Sequence, residues 1–140
     1  MRVSDIMSRD VRVAAPDSSL RDVAEAMADI DAGSLPVCDG KKLLGMVTDR
    51  DLVIRGLAKG LPAHTTVAQV MTSTVEYCFE DDHLNEVCGH MADSRIRRLP
   101  VLDRDHNLVG IISLGDLARG AEARQSGKAL EEISRPGAAH

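Results

Sequence analysis

The chain is almost without aromatic residues: its 140 residues include one Tyr, one Phe and no Trp. Single-stranded nucleic acid is held by bases stacking on several aromatic side chains, so a platform of that kind is excluded. The core has to be aliphatic, built of Val, Leu, Ile, Met and Ala. An excess of positive charge is missing too. The formal net charge is −5, whereas a phosphate backbone demands a basic face. Nucleic acid and anionic membrane surfaces are therefore not expected partners. No apolar run approaches the 18 or so residues of a membrane helix. The opening MRVSDIMSRD holds no hydrophobic signal segment, so a cytoplasmic location is expected. Cysteine is scarce: Cys38, Cys78 and Cys88 are an odd number without C-x-x-C spacing. Free buried thiols are the expectation. His83, Cys88 and His90 lie close in sequence, but no fourth ligand accompanies them and no metal site is expected. Nucleophile elbow, HExxH and P-loop signatures are all absent, and no enzyme is expected.

What the chain does have is a repeat. Residues 3–54 lie over residues 67–119 at an offset of 64, which rises to 65 after an insertion near His106. LPVCD at residues 35–39 pairs with LPVLD at 99–103, and GMVTDRD at 45–51 pairs with GIISLGD at 110–116. A repeat of this length is one supersecondary unit and its copy. A chain of 140 residues buries about 68–70% of its extended surface, enough to fold without staples. Two related units facing each other would leave a cleft with pseudo-twofold symmetry, a favoured ligand site.

Each copy reads alike. An apolar lead-in (residues 3–7 or 67–71) precedes a short strand (VRVAA from Val11, VEYCF from Val75). A helix start follows at Pro16-Asp17-Ser18 or Asp81-Asp82, residue types that accept from first-turn N–H groups. Leu20, Val23, Ala24, Met27 and Ala28 predict one buried stripe, and Leu84, Val87, Cys88, Met91 and Ala92 another. Two strands joined by turn residues signal a hairpin in each copy. A second helix begins near Asp49, and its counterpart begins near Gly115. The expected order is β-α-β-β-α, with repeat 1 at 1–60, repeat 2 at 61–122 and a partly helical or disordered tail at 123–140. The second helix of the first copy carries Leu52, Val53, Ile54 and Leu57, more apolar surface than one stripe requires, which suggests a partner.

The chemistry sits in a run of Gly, two apolar residues, a hydroxyl residue, two variable residues and Asp. Thr48 to Asp51 and Ser113 to Asp116 have capping-box spacing, which by itself satisfies helix N-terminal donors. The same geometry suits a nucleotide. A helix N-terminus attracts phosphate, the hydroxyl adds a hydrogen bond, and an Asp one turn in accepts from two neighbouring ribose hydroxyls. Both readings stand at this point.

With lead-in, LPV strand and G-x-x-[ST]-x-x-D run in order twice, residues 1–122 resemble a tandem cystathionine β-synthase (CBS) domain pair, or Bateman module, of the small stand-alone bacterial type. The resemblance implies an α/β fold of two CBS half-units related by pseudo-twofold symmetry and packed through their sheets. It implies ribose binding by Asp51 and Asp116, with Thr48 and Ser113 near ribose or phosphate. It implies that Arg97 and Arg98, just before the LPV strand, hold phosphate at the site containing Asp51. The first copy has Gly33 and Ser34 there and departs from that pattern. Backbone around Val13 and Tyr77 matches the segment lining adenine. AMP, ADP, ATP or S-adenosylmethionine would be a regulatory ligand rather than a required cofactor. A homodimer and an unidentified effector protein are the implied partners. The alternative is a ligand-independent dimeric scaffold of the same fold, with both motifs serving only as caps.

Overall fold

The computed structural model describes residues 1–94 and 97–120; the expected tail at 123–140 lies outside them. The first sheet pairs β1 (Ser34–Asp39) with β2 (Lys42–Thr48), antiparallel. Gly40, at φ +59, turns the chain between them. The second sheet has the order β3 (Cys78–Phe79), β4 (Arg98–Leu102), β5 (Leu108–Ser113), with β3 parallel to β4 and β4 antiparallel to β5. Helices α1 (Leu20–Ile30), α2 (Leu84–Ser94) and α3 (Leu114–Gly120) complete an α/β pattern of two half-units; the second copy has the expected β-α-β-β-α order, while in the first the opening strand is a single bridge at Ala14 and the second helix is replaced by a π-helical turn, Asp51–Gly56, and a 3-10 turn, Leu57–Lys59.

The first strand of each copy is shorter than its sequence suggests. In VRVAA only Ala14 reaches β1, its N–H donating to Pro36 O and its carbonyl accepting from Cys38 N–H. In VEYCF only Cys78 and Phe79 pair. Val13 and Tyr77, just before these contacts, are exposed.

Helix α1 is capped by Ser19, whose side chain accepts from Asp22 N–H. The expected cap at residues 16–18 lies too early, since Ser18 instead accepts from Ala15 N–H. The chain leaves α1 at Asp31, in the left-handed region at φ +52. The buried arc runs through Leu20, Val23, Ala26 and Met27, while Ala24 and Ala28 are exposed. Periodicity gave the right spacing but the wrong flank, because tertiary neighbours choose between two arcs that both contain Leu20, Val23 and Met27. In α2 the expected residues Leu84, Val87, Cys88 and Met91 are buried, and Ala92 packs against the same core. Asp81 and Asp82, expected at the start of α2, are engaged elsewhere. Asp82 accepts from Phe79 N–H and Asp81 pairs with Arg104.

The packing units do not follow the sequence copies. One unit is 12–75; the other joins 1–11 to the chain from Glu76 onward. Val3 and Met7 of the first lead-in lie in the core with Leu84, Met91, Leu99, Ile112 and Leu117. Val67 and Val70 of the second lie in the core with Leu20, Val23, Leu35 and Val47. Backbone bonds fix the exchange. Val3 N–H donates to Asp82 O and Leu84 N–H to Met1 O, while Val67 N–H donates to Ser18 O and Leu20 N–H to Thr65 O. Each core is thus closed by the other copy's lead-in.

Candidate functional site

Thr48 ends β2 and Ser113 ends β5, so each hydroxyl stands where a strand hands over to a helical segment. The two junctions are built alike. Thr48 N–H donates to Asp51 Oδ2 at 3.0 Å, and Asp51 N–H donates to Thr48 Oγ1 at 3.0 Å. Ser113 N–H donates to Asp116 Oδ2 at 3.0 Å, and Asp116 N–H donates to Ser113 Oγ at 3.1 Å. Each pair is a reciprocal cap, satisfying two backbone donors at once.

The second carboxylate oxygens differ. Asp51 Oδ1 lies 3.7 Å from Arg55 Nε, one turn on. Asp116 Oδ1 accepts from Ser8 Oγ at 3.2 Å. Ser8 arrives there because its backbone pairs with Ile111 in β5. Asp116 is only 5% exposed.

The motif glycine has a reason that sequence reasoning missed. A Cβ at Gly45 would collide with Thr72 O, and one at Gly110 would lie 2.9 Å from Ser8 O and 2.6 Å from Met7 Sδ. Residues that follow each exchanged lead-in cross these strands at backbone distance, so only Gly fits. The crossing and the motif are one construction.

Arg97 and Arg98 are both exposed. Arg98 pairs with Ser113 across the β4–β5 ladder, and Arg97 O accepts from Leu114 N–H at 3.1 Å. Both arginines therefore flank the junction of Ser113 and Asp116 within their own unit. At the matching place in the other unit Ser34 pairs with Thr48, and Gly33 O accepts from Asp49 N–H at 2.9 Å. There the neighbouring charge is negative: a Cβ on Gly33 would lie 3.1 Å from Asp49 Oδ2. One unit thus gathers Thr48, Asp51 and Val13, and the other gathers Ser113, Asp116, Tyr77, Arg97 and Arg98.

Tyr77 belongs to a cluster that the sequence did not reveal. Its ring meets Phe79 edge-on at 5.6 Å and His106 at 5.9 Å. The Arg104 guanidinium lies over Phe79 at 4.1 Å and holds Asp81 by two bonds of 3.0 and 2.7 Å. That hydrogen bonding keeps the Asp81 carboxyl below its ordinary range. The ring of Tyr77 therefore packs, yet the residue stays 39% exposed. His106 reaches the cluster from a turn at φ +65, shaped by Asp103 Oδ1 accepting from Asp105 and Asn107 N–H groups. The signal lay in Tyr77 and Phe79 sharing a strand face; their partners on a distant turn were not readable.

The described residues hold no group of three or more His, Cys, Asp or Glu arranged for a metal ion. None of their helices is long and apolar enough to cross a membrane.

Comparison with known proteins identifies the family and the fold. Residues 3–56 and 67–122 each match the CBS domain family. The CBS domain-containing protein YhcV of Bacillus subtilis (strain 168) is 37% identical over 133 residues, covering 94% of each chain. The crystal structure of CBSX2 in complex with AMP shares the fold with a TM-score of 0.74 at 28% identity, covering 86% of this chain and 95% of that one. The CBS domain pair of protein MJ0100, in complex with 5′-methylthioadenosine and S-adenosyl-L-methionine, does so with a TM-score of 0.70 at 28% identity, covering 85% and 94%.

Proposed function

The chain belongs to the CBS domain family, and from that premise we propose that it is a non-catalytic regulatory module that binds an adenine nucleotide or a related adenosyl ligand. One observation carries the reading. The same hydroxyl–carboxylate junction is built in both units, and its cap uses only one oxygen of each Asp. At Asp51 the other oxygen, 3.7 Å from Arg55 Nε, suits a ribose hydroxyl; at Asp116 it accepts from Ser8 Oγ, a bond that ribose would replace; and adenosine is common to the ligands of the two solved relatives. In this reading Asp51 and Asp116 take ribose, Thr48 and Ser113 lie beside ribose or phosphate, Arg97 and Arg98 neutralise phosphate, and the backbone at Val13 and Tyr77 borders adenine. AMP, ADP, ATP or S-adenosylmethionine serves as a signal, not as a resident cofactor. The exposed Val53, Ile54 and Leu57 form a homodimer surface, and an effector protein in the cytoplasm receives the output.

The completeness of both caps favours a second reading, a dimeric scaffold that needs no ligand. Melting with and without AMP, ATP and S-adenosylmethionine separates the two. A ligand bound only by the folded chain, at 100 times its Kd, adds about 2.7 kcal/mol. Asp51→Asn keeps an acceptor for Thr48 N–H but loses the charge. Affinity is expected to fall about tenfold, or roughly 1.4 kcal/mol, with the ligand-free Tm nearly unmoved. No shift with any of these ligands at millimolar concentration would establish the scaffold reading instead.

A further inference from the structure

The residue that follows each exchanged lead-in is placed alike in the two units. Ser8 N–H donates to Ile111 O at 2.8 Å, and Ile111 N–H donates to Ser8 O at 2.9 Å. Thr72 N–H donates to Met46 O at 2.8 Å, and Met46 N–H donates to Thr72 O at 2.9 Å. Ser8 and Thr72 also correspond in the repeat, at its offset of 64. The second oxygens of the two motif carboxylates are nevertheless served differently. At Asp51 the neighbour is the Arg55 guanidinium, 3.7 Å away. At Asp116 the Ser8 hydroxyl donates to Oδ1 at 3.2 Å. Ser8 is exposed and Asp116 is buried. The Ser8 backbone is pinned to β5, so its hydroxyl reaches or leaves the carboxylate by turning about one side-chain bond. Once turned away, it bonds water.

We propose that Ser8 is a specificity-determining residue: its hydroxyl stands in for one ribose hydroxyl at Asp116, so that this site accepts a ribonucleotide and the deoxynucleotide lacking that hydroxyl nearly alike. The ribose-binding role of Asp116 rests on the proposed function; the substitution of one hydroxyl for another goes beyond it. A site that bonds a ligand hydroxyl rejects the analogue without it, because the site's own polar group is left unpaired. That penalty does not arise beside Ser8. When a ribonucleotide binds, its hydroxyl takes Oδ1 and Ser8 turns to solvent, so one hydroxyl–carboxylate bond replaces another. When the deoxynucleotide binds, the sugar carries hydrogen at that place and Ser8 keeps its bond. Oδ1 ends with a hydroxyl donor in either complex. Arg55 offers no such substitute at Asp51. Its Nε at 3.7 Å is beyond hydrogen-bond length, so a ribose hydroxyl there adds a bond rather than replacing one.

NMR titration of the full chain with AMP, 2′-deoxy-AMP and 3′-deoxy-AMP tests this. The Ser113 and Asp116 amides report one site, and the Thr48 and Asp51 amides report the other. In the wild type, one of the two deoxy ligands is expected to bind at Asp116 within threefold of AMP. In Ser8→Ala that same ligand should bind there at least tenfold more weakly than AMP, a difference of about 1.4 kcal/mol. Ser8→Thr, the residue that the other copy carries, keeps the hydroxyl and should keep the wild-type ratio. At the Asp51 site the ratios should be the same in all three chains. The wild-type ratio decides without any variant having to fold: if AMP binds at Asp116 and both deoxy ligands are tenfold weaker, Ser8 stands in for nothing. A ratio that does not move in folded Ser8→Ala overturns the role of Ser8 equally. AMP that shifts only the Thr48 and Asp51 amides overturns ribose binding at Asp116, and the role of Ser8 with it, while sensing stands. AMP that shifts neither pair overturns the sensing reading itself and the sugar discrimination built on it.

Discussion

Cys78 sits in the core beside Met91 and Val101. Burial, reinforced by the negative charge of Asp82, pushes its thiol up to about 12 from 9.0. Burial raises Cys38 and Cys88 as well. All three are free and buried, as their number and spacing led one to expect. A thiol whose pKa is higher folded than unfolded keeps its proton longer in the folded chain. Its stabilising contribution is complete below about pH 9 and is lost as pH climbs toward 12. Denaturant melts at pH 8 and pH 10 should show stability falling with pH, by at most about 1.4 kcal/mol per unit for one fully responding thiol. Cys78→Ala should flatten that slope; an unchanged slope would place its origin elsewhere. Native-state labelling of Cys88 should be slow at pH 8, since the thiolate is both shielded and disfavoured. At this scale the sequence was most legible. Spacing alone identified the pairs of Thr48 with Asp51 and Ser113 with Asp116, because a cap is a local interaction. It could not identify Arg55 or Ser8 as partners of the second oxygens, since Ser8 lies 108 residues from Asp116.

Among elements, the strands β2 and β5 depend on Gly45 and Gly110. Neither glycine needs an unusual φ, and what each needs is the absence of a side chain where Thr72 or Ser8 backbone crosses. Gly45→Ala and Gly110→Ala should each lower stability by about 1–3 kcal/mol, the usual cost of overpacking. The larger loss is expected at Gly45, whose obstacle is backbone, since Met7 Sδ at Gly110 belongs to a flexible side chain that can yield in part. Thermal melts of the two variants check the order; equal and negligible losses would show that the crossing segments are not held. The repeat made both hairpins and both long helices legible. It also hid the π-helical turn at Asp51–Gly56, because residues 51–54 align with 116–119 without a gap and the pattern of one copy predicts the same helix in the other. The buried flank of α1 was ambiguous for a similar reason: Ala24 and Ala26 are equally apolar, and only the neighbouring elements distinguish them.

For the whole molecule, the exchanged lead-ins were beyond sequence reasoning. Residues 3–7 and 67–71 carry nearly the same pattern, so nothing in either declares which core it will complete. Their exchange makes a prediction about fragments. The stretch 12–75 contains one core entire, from Ala14 to Met71. It should fold cooperatively by itself, although a unit of that size buries only about 60% of its extended surface and will be marginal. The stretch 3–56, one sequence copy, lacks Val67 and Val70 and should not fold. Circular dichroism melts of both fragments decide the matter, and a cooperative transition in 3–56 would contradict the exchange.

The exchange also sets an order of events during synthesis. When residue 75 has cleared the ribosome, 12–75 has everything it needs to close. Residues 1–11, made before that unit, have no partner until Glu80, Asp82 and Leu84 emerge, and their core is incomplete until β5 and Leu117 follow. Domains fold as units while the chain grows, at about 5–20 residues per second. For several seconds Val3, Ile6 and Met7 therefore stay exposed, and completing their core must close a loop of more than 100 residues that includes a unit already folded. Long closures of this kind slow folding more than they weaken the product. The unit that carries Arg97, Arg98 and Asp116 is thus completed by residues synthesised before the other unit began, and it is completed last.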